Sequence, residues 1–451
     1  MATPSTPGSE AAGPAPTGSL ATHSLLRLTS QVLVAGLALA TGAAAARRLG
    51  ADGKGVLSTT SYLLVLVSTA SGLGVGEAGV VLAGRRGASQ ERAITAGLTA
   101  ALLASLVGAA LLAAVYAALY HDRLGELSTG LLVTVAAVPL ATVTQAAYPM
   151  LEGIRRFDLA AATRIGVALV TMLVTVALIM GYWTTGALVA AAVGWGVGAV
   201  AVLWALARSG IRLRPAWDRG YLRAALALGL PIQFSQLLVA TGARLDIIPV
   251  GIFAGSRAVG FYSVALTVAN VAAYLPASIV AASYPRLAAA AEQTAGVEIA
   301  RLGRRCLLAA TVAAVGIAVI APFGIPLAFG GGFRPAIAMA FLLLPGTVAY
   351  AAQLAVGRAV AAYGDARILV LSFGSSLLFM LACDLALVPT FGARGAAVAD
   401  SLSNLVGLAV AVLIARRRYD VRIGDLVPRA DDLRAVIATP AALVRRGRPR
   451  P

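Results

Sequence analysis

The chain is poor in charge, in lysine, in cysteine and in histidine. Charged residues fill 12% of its 451 positions, where a soluble domain has about 25%, and hydrophobic residues fill 59%. A globule of that makeup could not cover itself with polar groups, so a soluble enzyme is excluded. The two cysteines, Cys306 and Cys383, lie in or beside apolar segments without paired spacing, which removes a disulfide framework and a thiolate zinc site. The histidines His23 and His121 stand alone, in neither a metal-ligand nor a triad pattern. No nucleotide motif occurs, so direct ATP hydrolysis is not expected, nor is a cofactor or a resident metal. No ten-residue dyad alternation recurs either, which argues against a transmembrane barrel.

What remains is a series of apolar runs. About twelve segments are long enough to cross a hydrocarbon layer of roughly 30 Å as helices. They fall near 25–46, 56–83, 93–119, 129–151, 160–181, 184–207, 224–252, 260–284, 304–329, 335–359, 367–389 and 393–415. The expected fold class is an all-α polytopic membrane protein. Residues 1–22, rich in Pro, Ala, Ser, Gly and Thr, read as a disordered tail without the plan of a signal peptide.

The net charge of +17 invites a nucleic-acid reading, but only Lys54 among the 36 basic residues is a lysine. Most of the arginines stand between apolar segments, where they set orientation, so no nucleic-acid partner is expected. Alternate connections divide unevenly. Seventeen arginines, among them Arg155, Arg212, Arg304 and Arg367, fall on one side, and seven basic residues, among them Arg47, Lys54 and Arg257, on the other. The richer side is expected in the cytoplasm, with both termini there and the chain in the cytoplasmic membrane.

An internal repeat organises the rest. Residues 235–263 align without a gap on 30–58, a shift of 205 positions with nine identities in 29, where composition alone gives about three. Ser235 and Gln236 fall on Ser30 and Gln31, and Gly255, Gly260 and Ser263 on Gly50, Gly55 and Ser58. Six helices between the two starts make the repeat parallel, which predicts two six-helix bundles around a central cavity. The domain plan is then a first bundle over 23–207, an interfacial linker over 208–223 and a second bundle over 224–415. A basic tail over 416–451 follows, and the 286–305 connection has the pattern of an amphipathic surface helix.

Soluble-enzyme patterns have membrane explanations. The run 74–79, G-V-G-E-A-G, matches a dinucleotide fingerprint in letters but lies within an apolar segment with no strand before it, so close packing or a kink is expected. The 50–55 and 330–332 glycines read as short turns. Ionisable residues within apolar segments are costly there and should face protein or water. They are Arg244 and Asp246 in the seventh segment, Asp384 in the eleventh, Asp400 in the twelfth and Glu77 in the second. Arg164 lies nearer an end, where it could snorkel. The uncharged polar residues Gln31, Gln236, Gln145, Asn270, Gln353 and Asn404 would either bond between helices or line a wet cavity.

Several stretches carry a family resemblance: 46–55, 153–157 (G-I-R-R-F), 246–265 and 387–399. The chain resembles the polysaccharide-transporter branch of the multidrug, oligosaccharidyl-lipid and polysaccharide exporter superfamily over about 25–415. The resemblance implies a flippase carrying a polyprenyl-diphosphate-linked oligosaccharide between leaflets for cell-surface polysaccharide synthesis. Membrane lipid, a polysaccharide polymerase and glycosyltransferases are its expected partners. A diphosphate needs a wet path and a positive counter-charge, which points to Arg244, with Gln31, Gln236, Arg164, Asn270 and Gln145 on the cavity wall. Two alternatives stand beside it. One is a cation-coupled exporter of small amphiphiles using Asp246, Asp384, Asp400 or Glu77. The other, a membrane glycosyltransferase or ligase, is disfavoured by the short external connections.

Overall fold

The computed structural model describes residues 17–82, 88–119, 124–242, 244–288, 292–429 and 431–432, with some side chains inside helices left out. Among them it contains twelve α-helices and no strand. These are α1 (Thr17–Ser71), α2 (Val75–Leu82), α3 (Ala88–Leu119), α4 (Leu124–Gly153), α5 (Phe157–Arg208) and α6 (Arg219–Gly242). The second half holds α7 (Ile247–Ala269), α8 (Val271–Ala288), α9 (Ala295–Phe329), α10 (Pro335–Ala362), α11 (Arg367–Phe391) and α12 (Ala393–Tyr419). In hydrocarbon every backbone N–H and C=O must be paired within the segment, and helices are what apolar runs of this length form.

The twelve helices are not one-to-one with the twelve apolar segments. Three of them, α1, α5 and α7, bend sharply at Gly50 (φ 67°), Trp183 (φ 47°) and Gly255 (φ 82°), and each joins parts of two spans. Conversely, the second, seventh and eighth spans are interrupted at 72–74, 244–246 and Asn270. Dividing at the bends and joining across the breaks restores twelve spans. Gly50 and Gly255 are repeat mates 205 residues apart, and both hold a left-handed φ that a side chain would strain. The turn before α12 uses Gly392 (φ 58°) in the same way. Eight helices are long and apolar enough to cross a membrane as they stand, and side chains such as Phe323 and Leu327 lie outward on them.

Three boundaries differ from the sequence expectation. Helix α1 begins at Thr17, so 17–22 are helical, while 1–16 lie outside the described residues. The linker shortens to 209–218, pinned where the Ala216 N–H donates to Thr99 Oγ1 at 3.3 Å and the Tyr221 N–H to Asp218 Oδ1 at 2.9 Å. Among the described residues of 286–305 no separate surface α-helix forms. Helix α8 runs to Ala288 and α9 starts at Ala295, its first turns projecting as one piece with the span.

The tail is not merely basic and polar. After α12, residues 420–432 fold back on the start of α9, where the Asp432 carboxylate accepts from Arg304 Nε at 2.9 Å and Arg304 Nη1 reaches the Asp425 carbonyl at 3.0 Å. Asp432 is 3% exposed. Burial alone would raise its carboxyl, but the Arg429 N–H and the Arg304 and Arg305 guanidiniums outweigh that and hold it below the usual carboxylate range.

The ends of the molecule differ in how the repeat halves meet. At the end carrying the Gly50 and Gly255 turns, a Cβ on Gly55 would lie 1.8 Å from the Ser256 carbonyl oxygen, and one on Gly260 would lie 1.9 Å from that of Ala51. These are the same contact made twice, since Gly55 and Gly260, like Ala51 and Ser256, are repeat mates. The Ser256 hydroxyl donates to Asp52 Oδ1 at 3.0 Å, and Arg47 Nε donates to the Ala328 carbonyl at 2.9 Å, satisfying the open C-terminus of α9. At the opposite, arginine-rich end the halves touch where Gly74 (φ 72°) meets Gly229, each backbone occupying the place of the other's Cβ. The 74–79 glycines thus serve packing, with Gly76 against the Ala146 backbone and Gly79 against Met150.

Candidate functional site

Pro249 shapes the centre. It offers no N–H to the Leu245 carbonyl four residues back, so that oxygen is met by the Ile248 N–H at 3.0 Å and the helix loosens. Residues 244–246 form turns between α6 and α7. The repeat mate of Pro249 is Ala44, and the first copy of the repeat runs through this level as continuous helix. Arg244 lies eleven residues before the Gly255 bend, which at 1.5 Å per residue is about 16 Å, near the middle of a hydrocarbon layer.

Around this break both halves of the chain contribute charge and hydroxyls. Arg244 is half-buried and makes no ion pair among the described residues; Lys54, Tyr62 and Asp246 lie within its electrostatic reach. Asp246 is fully buried; one of its oxygens accepts from the Tyr262 hydroxyl and the other has no partner. Asp384 is also fully buried with neither oxygen bonded among the described residues, and Asp400 is 7% exposed. The three carboxyls lie within one another's fields. No set of three acidic, His or Cys residues among the described ones is spaced to hold a metal ion. Buried carboxyls so grouped call for bound protons or for nearby positive charge, which Arg244 brings to Asp246. Gln353, also fully buried, has neither amide atom bonded.

A second polar region lies toward the arginine-rich end, where α1, α2, α4 and α6 enclose a cavity of about 120 Å³ lined by Ser68, Thr69, Glu77, Gln145, Pro149 and Gln233, with small residues between. Thr69 Oγ1 donates to Gln145 Oε1 at 2.9 Å, Gln145 Nε2 to Ser68 Oγ at 2.6 Å, and Gln233 Nε2 to the Thr69 carbonyl at 2.5 Å. The last bond crosses between the halves.

The structure thus brings Arg244 together with Asp246, Asp246 with Asp384 and Asp400, and Gln145 with Glu77. Three others have contacts or places of their own. Arg164 pairs with Glu152 at 3.0 Å and lies over the Tyr148 ring at 4.6 Å, joining α5 to α4. Asn270, half-buried, ends α7. Asn404 donates to the Asp400 carbonyl at 2.9 Å. The side chains of Gln31, Gln236 and His23, together with His121, lie outside the described set. Sequence reasoning missed Lys54, Tyr62, Tyr262 and Gln233 as site residues. Lys54 carried a signal, as the chain's one lysine, but sat within what read as a turn; in the structure the turn is Gly50 alone and Lys54 is already helical.

The sequence profile of a family described as "Polysaccharide biosynthesis protein" matches residues 45–338. The chain belongs to that family. Among solved structures, this polysaccharide biosynthesis protein is similar to an inward-facing multidrug resistance MATE family transporter of the MOP superfamily. The TM-score is 0.64 at 17% identity, covering 88% of this chain and 98% of that one. The lipid II flippase MurJ, in an inward closed conformation, gives 0.64 at 13% identity over 94% and 91%. A MOP superfamily transporter from Pyrococcus furiosus Vc1, described as having a binding pocket of reverse polarity, gives 0.59 at 15% over 89% and 95%. No curated protein matches the sequence. The family match makes the chain a polysaccharide biosynthesis protein, and the likenesses give it the all-helical fold of those transporters.

Proposed function

We propose that this protein is a flippase that carries a polyprenyl-diphosphate-linked oligosaccharide across the cytoplasmic membrane. The observation that carries the reading is Arg244, held at mid-span on a broken helix, unpaired among the described residues and backed by Lys54 and Tyr62 from the other half. A diphosphate cannot cross hydrocarbon as an ion, and a guanidinium at that depth supplies a forked counter-charge. The broken helix frees backbone groups where they can meet a polar head. Two six-helix bundles rocking about this level would offer it to each leaflet in turn, with the arginine-rich end in the cytoplasm and Gln31, Gln236 and Asn270 on the wall.

The test is transport of a lipid-linked oligosaccharide diphosphate into vesicles holding the full chain. Arg244→Ala should lower the rate about thirtyfold or more, the equivalent of about 2 kcal/mol for a desolvated charge contact, while insertion and protein level stay normal. Full activity of that variant removes Arg244 from the site.

A second reading, a cation-coupled exporter of amphiphiles, is favoured by the unbonded carboxyl of Asp384 beside Asp246 and Asp400. Drug accumulation in cells with and without the protein separates the two, and an effect on drugs with no glycan defect reverses the order.

A further inference from the structure

The cavity between α1, α2, α4 and α6 has a chemistry unlike that of the Arg244 level. Its polar wall consists of two carboxamides, two hydroxyls and a carboxylate, from Gln145, Gln233, Ser68, Thr69 and Glu77, with no Lys or Arg. A phosphate prefers cationic or purely donating partners, and each carboxamide here also presents an accepting oxygen. A metal cation prefers oxygens alone, whereas each carboxamide also presents N–H groups. A ligand whose every polar atom both donates and accepts, the sugar hydroxyl, meets a mixed wall of this kind.

The bonds inside the wall leave capacity for it. A carboxamide has two N–H donors and two lone pairs. Among the described residues Gln145 uses one lone pair on Thr69 and one N–H on Ser68, and Gln233 uses one N–H on the Thr69 carbonyl. The cavity lies six to fifteen residues along the second span from Tyr62, which is about 9–22 Å toward the arginine-rich end. A short saccharide whose diphosphate rests at Arg244 would reach that far.

We infer that this cavity is a saccharide subsite, taking one neutral, hydroxyl-rich ring of the lipid-linked substrate between Gln145 of the first half and Gln233 of the second. The lipid-linked context rests on the flippase reading; the sugar contact rests on the cavity's own wall. Its volume has room for one ring at most, so it selects at one position of the saccharide and not along its whole length.

Saturation-transfer NMR on the full chain in nanodiscs tests this, with glucose, galactose, rhamnose and N-acetylglucosamine as separate probes, and isothermal titration of inorganic pyrophosphate into the same nanodiscs supplies the contrast. At least one sugar should receive saturation from the native protein. Gln145→Leu and Gln233→Leu should each weaken that sugar about tenfold, the loss of one to two hydrogen bonds, and leave pyrophosphate unchanged. Arg244→Gln should do the reverse. Sugar binding equal in the native protein and both glutamine variants, or no response from any sugar, overturns the subsite. Pyrophosphate binding indifferent to Arg244, with sugar binding still sensitive to the glutamines, overturns the diphosphate assignment and leaves the subsite standing. Circular dichroism melting guards against misfolding, and if Gln145→Leu does not fold, Gln233→Leu, half-buried with one bond to lose, decides alone.

Discussion

Single residues carry strain and charge here in ways that can be measured apart. Gly255 and Trp183 both turn the chain with positive φ, but only Trp183 has a side chain to accommodate. Strain of that kind costs on the order of 1 kcal/mol, and the Arg48 guanidinium, 4.9 Å over the Trp183 ring, returns about 0.5–1 kcal/mol. Trp183→Gly should therefore leave the melting midpoint nearly unmoved. Gly255→Ala gains no such contact, since a Cβ there meets nothing within 4 Å, and should cost about 1 kcal/mol in a denaturant or thermal titration. Asp432 titrates with the opposite sense to a buried unpaired acid. Its folded value is depressed, so tail docking is fully present above the unfolded value of about 3.9 and is lost as pH falls through the lower folded one. A spin label on Asp431→Cys, in a chain with Cys383→Ser, should stay immobile from pH 7 to 5 and gain mobility below about pH 4, whereas Asp432→Asn should free it at neutral pH.

Among the elements, the contact between the starts of the second and eighth spans is the tightest join of the two halves. Any side chain at Gly55 must move the Ser256 carbonyl by more than an ångström, and overpacking of that order costs about 1–3 kcal/mol. Gly55→Leu should open this end, seen as about tenfold faster modification of Ser256→Cys by an impermeant maleimide for each 1.4 kcal/mol lost. Much of this architecture was legible in advance. Apolar length alone located the spans, and the 205-residue shift pointed to Gly50, Gly55, Gly255 and Gly260 before their packing was known. The break in the seventh span was less legible, although Pro249 marks it, because a proline in an apolar run is compatible with a bend as well as a gap. Gln233 was passed over for Gln236, which had a repeat mate; what sets Gln233 apart is the Thr69 carbonyl facing it from another helix, and only tertiary packing supplies that. The ion pairs of Arg164 and Asp432 join residues 12 and 128 positions apart, and no local pattern announces either.

For the molecule as a whole, the arginine bias predicts which end faces the cytoplasm. Leu213→Cys in the linker should react with an impermeant maleimide only after cells are permeabilised, while Asp52→Cys should react in intact cells; the reverse pattern would invert the orientation and the direction of transport drawn from it. In this conformation the halves are joined at both ends, by Gly55 with Gly260 at one and by Gly74 with Gly229 at the other. The Arg244 level lies between these joins, and the glutamine-lined cavity sits beside the second of them. Moving a large head past them requires each join to part in turn while the other holds.

The doubled glycine seam also has something to say about descent. A patch that recurs on both partners, Gly55 against Ser256 and Gly260 against Ala51, is the signature of an isologous interface. A forebear of half this length, meeting a second copy of itself in the membrane, would have made that same reciprocal pair. Fusion then freed each half to diverge, which is how only one of them came to carry a proline, an arginine and an aspartate where its twin kept an unbroken helix.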